Sequence, residues 1–267
     1  MTCYMGNLGR LVPISATASL SSGFSRASTE QTTLGGRRFV RTAPRGLREW
    51  SVQTPPGTPA DRLAAPSLFI QGEWGDGPFW WLSDWAVGVN ALTPGGSVLK
   101  YADRSAATVG GPVQAADGTW FPGSVVSGAG GVAGVARGYA RNYVAVPRGV
   151  TYTASLYVSA GQQVRVYEYD SSLGTALAAR LSPAATGAGL SRVSVTAFAT
   201  ASTDALRLDV LGAGTCAGAA ISLTRDLAPW GVGDGCAEAV FQDLSSDVTA
   251  PWMGYASQGY RVLEVGG

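Results

Sequence analysis

The sequence has no histidine at all. That removes the base of Ser-His-Asp and Cys-His catalysis, and with it the commonest side-chain metal ligand. Any enzyme built from this chain would run on carboxylates, tyrosine, a cofactor or the single lysine, Lys100. Cysteine is limited to Cys3, Cys216 and Cys236. An odd, widely spaced set forms neither a disulfide framework nor a zinc site; Cys216 and Cys236 could bridge only if their Cα atoms come within ~7 Å, and buried free thiols are the expectation. Charge is scarce at 14%, with a net of +1, which argues against a general nucleic-acid role. No run reaches the ~18 apolar residues of a membrane span. The opening MTCYMGNLGRLVPI lacks the continuous apolar region of a signal peptide. The expectation is a soluble protein made in a reducing cytoplasm, with no cofactor and no metal.

What is abundant is glycine, at 37 of 267 residues, with valine, threonine, serine and alanine. Short runs of these residues between frequent turn signals favour an all-β protein. The aromatic stretch EWGDGPFWWLSDW (73–85) is the chain's anchor. Gly72, Gly75, Gly77 and Pro78 break the backbone ahead of it, and Phe79–Ser83 reads as a core strand entered by a tight turn. A stacking platform is the alternative use of the same rings.

Ahead of it, Leu11–Ala16, Ser19–Ser25, Arg37–Thr42 and Glu49–Gln53 read as strands. Gly35-Gly36 is placed to join Thr29–Leu34 to Arg37–Thr42 as a hairpin. Thr58, Pro59 and Asp61 begin one short helix, which Pro66 should kink or interrupt. Behind it, residues 123–138 (GSVVSGAGGVAGVARG) approach low complexity, with valines spaced for a loose strand.

Five segments then alternate with period two: Thr151–Val158, Gln163–Asp170, Arg192–Phe198, Ala205–Leu211 and Ala219–Thr224. Each has one apolar face, the pattern of sheets packed as a sandwich or jelly roll. Ala239–Leu244 and Tyr260–Val265 return to the texture of the first part. The expected fold is therefore all-β with two β-sandwich domains. One is discontinuous, 1–94 with 229–267; the other, 97–225, is a jelly-roll-like insertion.

The segments GGRRFVRTAPRGLREWSVQT (35–54), QGEWGDGPFWWLSDWAVGVNALTP (71–94), PWGVGDGCAEAVF (229–241) and GYRVLEVG (259–266) together resemble actinobacteriophage minor tail proteins. These carry a GPFWW-type block and an NxLTP segment before an insertion, and a terminal xVxEVG strand after it. The layout also resembles distal tail (Dit-type) baseplate proteins, and the middle module resembles carbohydrate-binding-module jelly rolls. The resemblance implies a virion protein of the tail tip or baseplate, in a homo-oligomeric ring beside tail-tube and hub proteins. It implies no catalytic residues. The alternative is a non-catalytic carbohydrate-binding, receptor-recognition protein without a ring-forming role.

Two groups of residues could serve such roles. Tyr157, Tyr167 and Tyr169, with Arg165 among them, lie on the polar faces of their strands. If 151–158 and 163–170 form a hairpin, the rings come within cross-strand reach and could line a groove for host surface polysaccharide. Trp120 and Phe121, after the turn Asp117-Gly118, are a further glycan candidate. Glu168 and Asp170 could be a hydrolytic carboxylate pair, although a solvated strand end explains them better. The second group is basic. Residues 1–50 carry seven arginines against Glu30 and Glu49, and Arg37, Arg38, Arg41 and Arg45 are expected at an assembly interface. The glycine-rich GVGDG (231–235) lacks phosphate-loop spacing and reads as a turn, with Asp234 a weak candidate for calcium.

Overall fold

A computed structural model describes residues 2–14, 19–25, 28–33, 35–42, 46–73, 75, 77–103, 105–136, 143–172, 174–250 and 254–265. The fold is all-β, with several antiparallel sheets and few helical turns. The chain divides into two units: Ile14–Pro78 with Glu238–Gly266, and Thr2–Pro13 with Phe79–Ala237. The divisions fall at 13/14, 78/79 and 237/238, whereas the change of texture in the sequence falls near 94 and 229. The reason is packing. Trp80, Leu82, Ala86, Ala91 and Leu92 are buried in the same apolar cluster as Tyr152, Leu156, Val166 and Ile221.

In the first unit, Leu47–Gln53 pairs with both Ser19–Ser25 and Tyr255–Glu264, and Tyr255–Glu264 pairs with Cys236–Ala250. Trp50, Val52 and Val262 are buried here, with Leu63 and Phe69 from the helix Ala60–Ile70. That helix differs from expectation in two ways. Pro59, with no side-chain cap, sits at its start, while Thr58 belongs to a short strand and donates its hydroxyl to Pro55 O. The helix also runs through Pro66. Arg48 closes the sheet end, making two 3.1 Å hydrogen bonds to Glu264 while lying over the Trp50 ring. The expected hairpin is present: Ser28–Thr32 pairs with Arg38–Thr42, and Gly36 takes φ +74° in the turn.

The second unit contains the sandwich. One sheet has five strands in the order Ser191–Phe198, Thr151–Val158, Gly214–Ser222, Ser124–Ser127, Ala107–Gly110. The other has four, in the order Val144–Ala145, Ala205–Leu211, Gln163–Asp170, Thr175–Leu181. Their apolar faces bury Tyr152, Ala154, Leu156, Val164, Val166, Leu206, Leu208 and Val210, as alternation dictates. Thr151–Val158 and Gln163–Asp170 do not form a hairpin, which corrects the conditional pairing above. They belong to different sheets. The link between them turns at Gly161 (φ +83°), and buried Gln162 accepts from Ser159 N and donates to Ser127 Oγ. The chain thus crosses the sandwich instead of doubling back within one sheet.

Phe79–Leu82 is a fully buried strand paired with Cys3–Asn7, so those rings are core. Trp85 is exposed, and Trp74 lies outside the described residues. After it, the chain from 87 to 92 runs along Gly214–Ser222. Ala91 N donates to Ile221 O and Leu223 N to Val87 O. Asn90 is the joint. Its amide donates to Ala219 O and Gly231 O, both at 2.9 Å, and its carbonyl accepts from Leu92 N and Ile221 N, both at 3.2 Å. GVGDG is not a turn. A Cβ on Gly233 would lie 2.1 Å from Leu92 O, and one on Gly235 1.9 Å from Ala91 O. These glycines permit close backbone approach. Asp234 accepts from the Ser83 hydroxyl, which also caps the helix Asp84–Gly88. Among the described residues no group of three or more Cys, Asp or Glu side chains could hold a metal, and no helix is long and apolar enough to cross a membrane.

All three cysteines are unbridged and buried. Burial, with the Asp84 carboxylate adding to it, pushes the Cys3 thiol up to about 12, and burial alone takes Cys216 to about 12. Thiolate at pH 8 is then roughly a thousandfold scarcer than for an ordinary thiol. Iodoacetamide should therefore leave Cys3 and Cys216 unmodified in native protein and label both in urea. Native labelling at the rate of free cysteine would refute the buried placement.

Candidate functional site

The outer face of the four-stranded sheet carries the densest set of polar and aromatic side chains. In Gln163–Asp170 the even positions Val164, Val166, Glu168 and Asp170 point inward, and the odd positions Arg165, Tyr167 and Tyr169 are half-exposed. Across the ladder, Arg165 faces Asp209 and Tyr167 faces Arg207. On the other side these strand positions meet Leu181, Ala179 and Ala176 of Thr175–Leu181, whose exposed side chains make a low border.

Arginine and tyrosine interleave on this face. The Arg165 and Arg207 guanidinium carbons lie 4.6 and 4.7 Å from the Tyr167 ring centre, and Arg207 also lies 5.5 Å from that of Tyr169. The two tyrosine rings are 6.1 Å apart. Asp209 organises the arginines. Arg207 donates to it in a fork, Nε at 2.9 Å and Nη2 at 3.1 Å, and Arg165 Nη2 reaches it at 3.3 Å. Gly134 N completes its shell at 2.8 Å. Burial opposes the Arg207 charge, but the bonds and charge of Asp209 outweigh it, so this guanidinium pKa lies above its ordinary value. Asp209 is only 1% exposed, against 32% and 27% for the Arg165 and Arg207 side chains. Solvent therefore meets the guanidiniums and phenols, not the carboxylate.

The structure brings Arg165, Tyr167 and Tyr169 together and leaves Tyr157 elsewhere. Tyr157 is buried on the five-stranded sheet, where Phe121 packs on it at 4.9 Å. Its hydroxyl donates to Asp117 at 2.8 Å, and Arg192 lies 5.6 Å from its ring. The hairpin Val113–Gln114/Trp120–Phe121 supplies this cover. Burial raises the Tyr157 pKa, and the Thr119 backbone N–H, ahead of the Tyr157 hydroxyl, lowers that of Asp117. Trp120, on the same hairpin, is 58% exposed and is not part of the Arg–Tyr cluster.

Arg207 and Asp209 were missed as site residues although the alternation of Ala205–Leu211 already put them opposite Leu206, Leu208 and Val210. The missing information was which strand lies beside Gln163–Asp170. Glu168 and Asp170 are not at a solvated strand end. Both are buried, and Glu168 accepts from Tyr152 Oη and Arg180 Nε at 3.0 Å and from Thr203 Oγ1 at 3.2 Å.

The basic residues behave differently. Arg37, Arg38 and Arg41 are exposed on the 28–42 hairpin, Arg38 pairing with Glu30 across it, and Arg45 lies outside the described residues. Phe39 and Val40 are also exposed, at 53% and 56%.

No protein-family profile matches the chain. No curated protein sequence matches it either. Among solved structures, the enzymatically active domain of bacteriophage CBA120 tailspike protein 4 is similar over 51% of this chain and 22% of its own, at 9% identity and a TM-score of 0.37. The chain thus spans about a fifth of that protein. A carbohydrate-binding module of Cellvibrio mixtus lichenase 5A, solved with cellotriose, aligns over 48% of this chain and 95% of its own, at 15% identity and a TM-score of 0.33. The CBM22-1 and GH10 modules of the Clostridium thermocellum endo-1,4-beta-D-xylanase Xyn10B, solved with xylohexaose, align over 54% of this chain and 30% of their own, at 12% identity and a TM-score of 0.35. Scores this low transfer no ligand, partner or reaction to this chain.

Proposed function

We propose that this is a non-catalytic virion protein of a phage tail tip or baseplate, whose sandwich unit binds host surface glycan through the outer face of the four-stranded sheet. One observation carries the reading: the interleaved Arg165, Tyr167, Arg207 and Tyr169, fixed from beneath by buried Asp209. Half-exposed rings and forked donors held in place before binding are what an extended, hydroxyl-rich ligand requires. The test is binding of purified protein to host cell-wall polysaccharide. Tyr167→Ala with Tyr169→Ala should weaken binding about tenfold or more, the loss of roughly 1.4 kcal/mol of aromatic contact, in a protein that still unfolds cooperatively. Unchanged affinity in the double variant would refute the assigned face.

Assembly is assigned to the 28–42 hairpin, with Arg37, Arg38, Arg41 and Arg45. Two-stranded hairpins are marginal alone, and this one exposes Phe39 and Val40 beside its arginines. Copies of this chain in a ring, or an adjacent tail protein, would cover it. Arg37→Glu with Arg38→Glu should give a folded protein that fails to enter tails. Incorporation at the wild-type level would remove the interface, and assembled particles that fail to deliver DNA would place these arginines in the tail lumen. A monomer with undiminished glycan binding and no incorporation under any condition would favour a receptor-recognition protein outside the ring.

A further inference from the structure

The charge on the outer face indicates what kind of glycan it suits. We infer that the cluster selects an anionic glycan, one bearing carboxylate or phosphate, over its neutral counterpart; this rests on the glycan-binding reading above. Two guanidiniums, Arg165 and Arg207, stand against one carboxylate, Asp209. The balance is one positive charge, on a face where the bordering residues Ala176, Ala179 and Leu181 are uncharged. The nearby acidic groups do not offset it. Glu168 points inward and is engaged by Arg180, and Asp204 is buried against Arg148.

Asp209 does not use every donor of the two partly exposed guanidiniums. Arg207 uses Nε and Nη2 on Asp209, and Arg165 uses Nη2. The bonds to Asp209 leave the Nη1 group of each for a ligand, whereas Arg165 Nε is buried and is not among the donors a ligand could reach. Guanidinium donors pair in parallel with the two oxygens of a carboxylate or phosphate, and such charge-assisted bonds are about twice as strong as neutral ones. The same guanidiniums lie over Tyr167, which makes that ring less available as a bare stacking surface for a neutral sugar. Because Asp209 holds the forks in place beforehand, little side-chain freedom is lost on binding.

The experiment compares matched polymers on the full chain by affinity electrophoresis and calorimetry. The probes are polygalacturonate against its carboxyl-reduced form, and phosphomannan against its dephosphorylated form. At least about tenfold tighter binding to one acidic member than to its neutral partner is expected. Preference in the first pair identifies a carboxylate, and in the second a phosphate. Arg165→Gln, which leaves Asp209 with Arg207 and Gly134 N, should cut the acidic preference by about fivefold or more. Arg37→Glu with Arg38→Glu should leave the preference intact.

Equal affinity for acidic and neutral members overturns the inference while leaving glycan binding standing. Preference lost with the Arg37/Arg38 variant but kept in Arg165→Gln also overturns it, because the charge read would then be the hairpin's. Binding to none of the four overturns it as well. The glycan reading then depends on the host-wall assay with the Tyr167/Tyr169 variant, so the two failures remain distinct.

Discussion

Asn90→Ala should lower the unfolding free energy of the sandwich unit by ~4 kcal/mol, a large loss for one surface-sized side chain. Asn90 is fully buried, and each of its four hydrogen-bonding positions is filled by backbone. Truncation orphans Gly231 O, Leu92 N and Ile221 N from this side chain; Ala219 O retains the Trp230 indole N–H at 3.1 Å. An orphaned buried backbone group costs about 1–3 kcal/mol, so three of them outweigh any relief from removing the amide. Urea unfolding followed by tryptophan fluorescence would measure the loss.

The near-isosteric Asn90→Asp gives the sharper test. It would point carboxylate oxygens at two backbone carbonyls that now receive N–H donors, so at neutral pH it should destabilise at least as much as alanine. If Asn90→Asp proves harmless, the assigned amide orientation is wrong. If alanine costs less than ~1 kcal/mol, the joint is not what ties residues 87–92 to Gly214–Ser222.

Asn90 also marks the limit of what the sequence disclosed. Its place in GVNALTP was visible as a motif, but nothing local tells a capping or turn asparagine from one that serves four backbone partners, the farthest 141 positions away. The glycines of GVGDG are similar. Flanked by one another they read as a turn, and only the closeness of Ala91 O and Leu92 O shows that a Cβ has no room. What is written locally was legible. Period-two alternation located Thr151–Val158, Gln163–Asp170 and Ala205–Leu211 and sorted their faces correctly, since alternation is a property of a single strand. Neighbouring strands are a property of the whole sheet. Gln163–Asp170 lies between Ala205–Leu211 and Thr175–Leu181, not beside Thr151–Val158. That one substitution of neighbours removed Tyr157 from the cluster and brought in Arg207 and Asp209. The inward turn of Glu168 was also concealed, because a carboxylate at an apolar position reads as a strand that has reached water.

Glu168→Ala is expected to cost ~3 kcal/mol, from a cavity and an orphaned buried hydroxyl. Glu168 is fully buried on the inner face of the sandwich, and Tyr152, from the opposing sheet, is buried with it. Their bond is a polar link between the two layers. Burial, then the Glu168 charge and its hydrogen bond, raises the Tyr152 pKa, so the phenol stays a donor throughout the physiological range. Arg180 is 45% exposed and can turn to water when the carboxylate is lost. The penalty is therefore below that of stranding a fully buried ion. Glu168→Gln separates charge from geometry. Its carbonyl can still accept from Tyr152 and Arg180, and its amide can donate to Thr203, so a loss of only ~1 kcal/mol is expected. Tyr152→Phe should cost a similar amount, because Arg180 and Thr203 still serve the carboxylate. In a double-mutant cycle, Tyr152→Phe and Glu168→Ala should couple, since each removes the one hydrogen bond they share. Additive losses would mean that the two layers are held here by packing alone. A Glu168→Ala protein as stable as the wild type would show that the carboxylate does not sit between the sheets, and would restore the solvated strand end expected from the sequence.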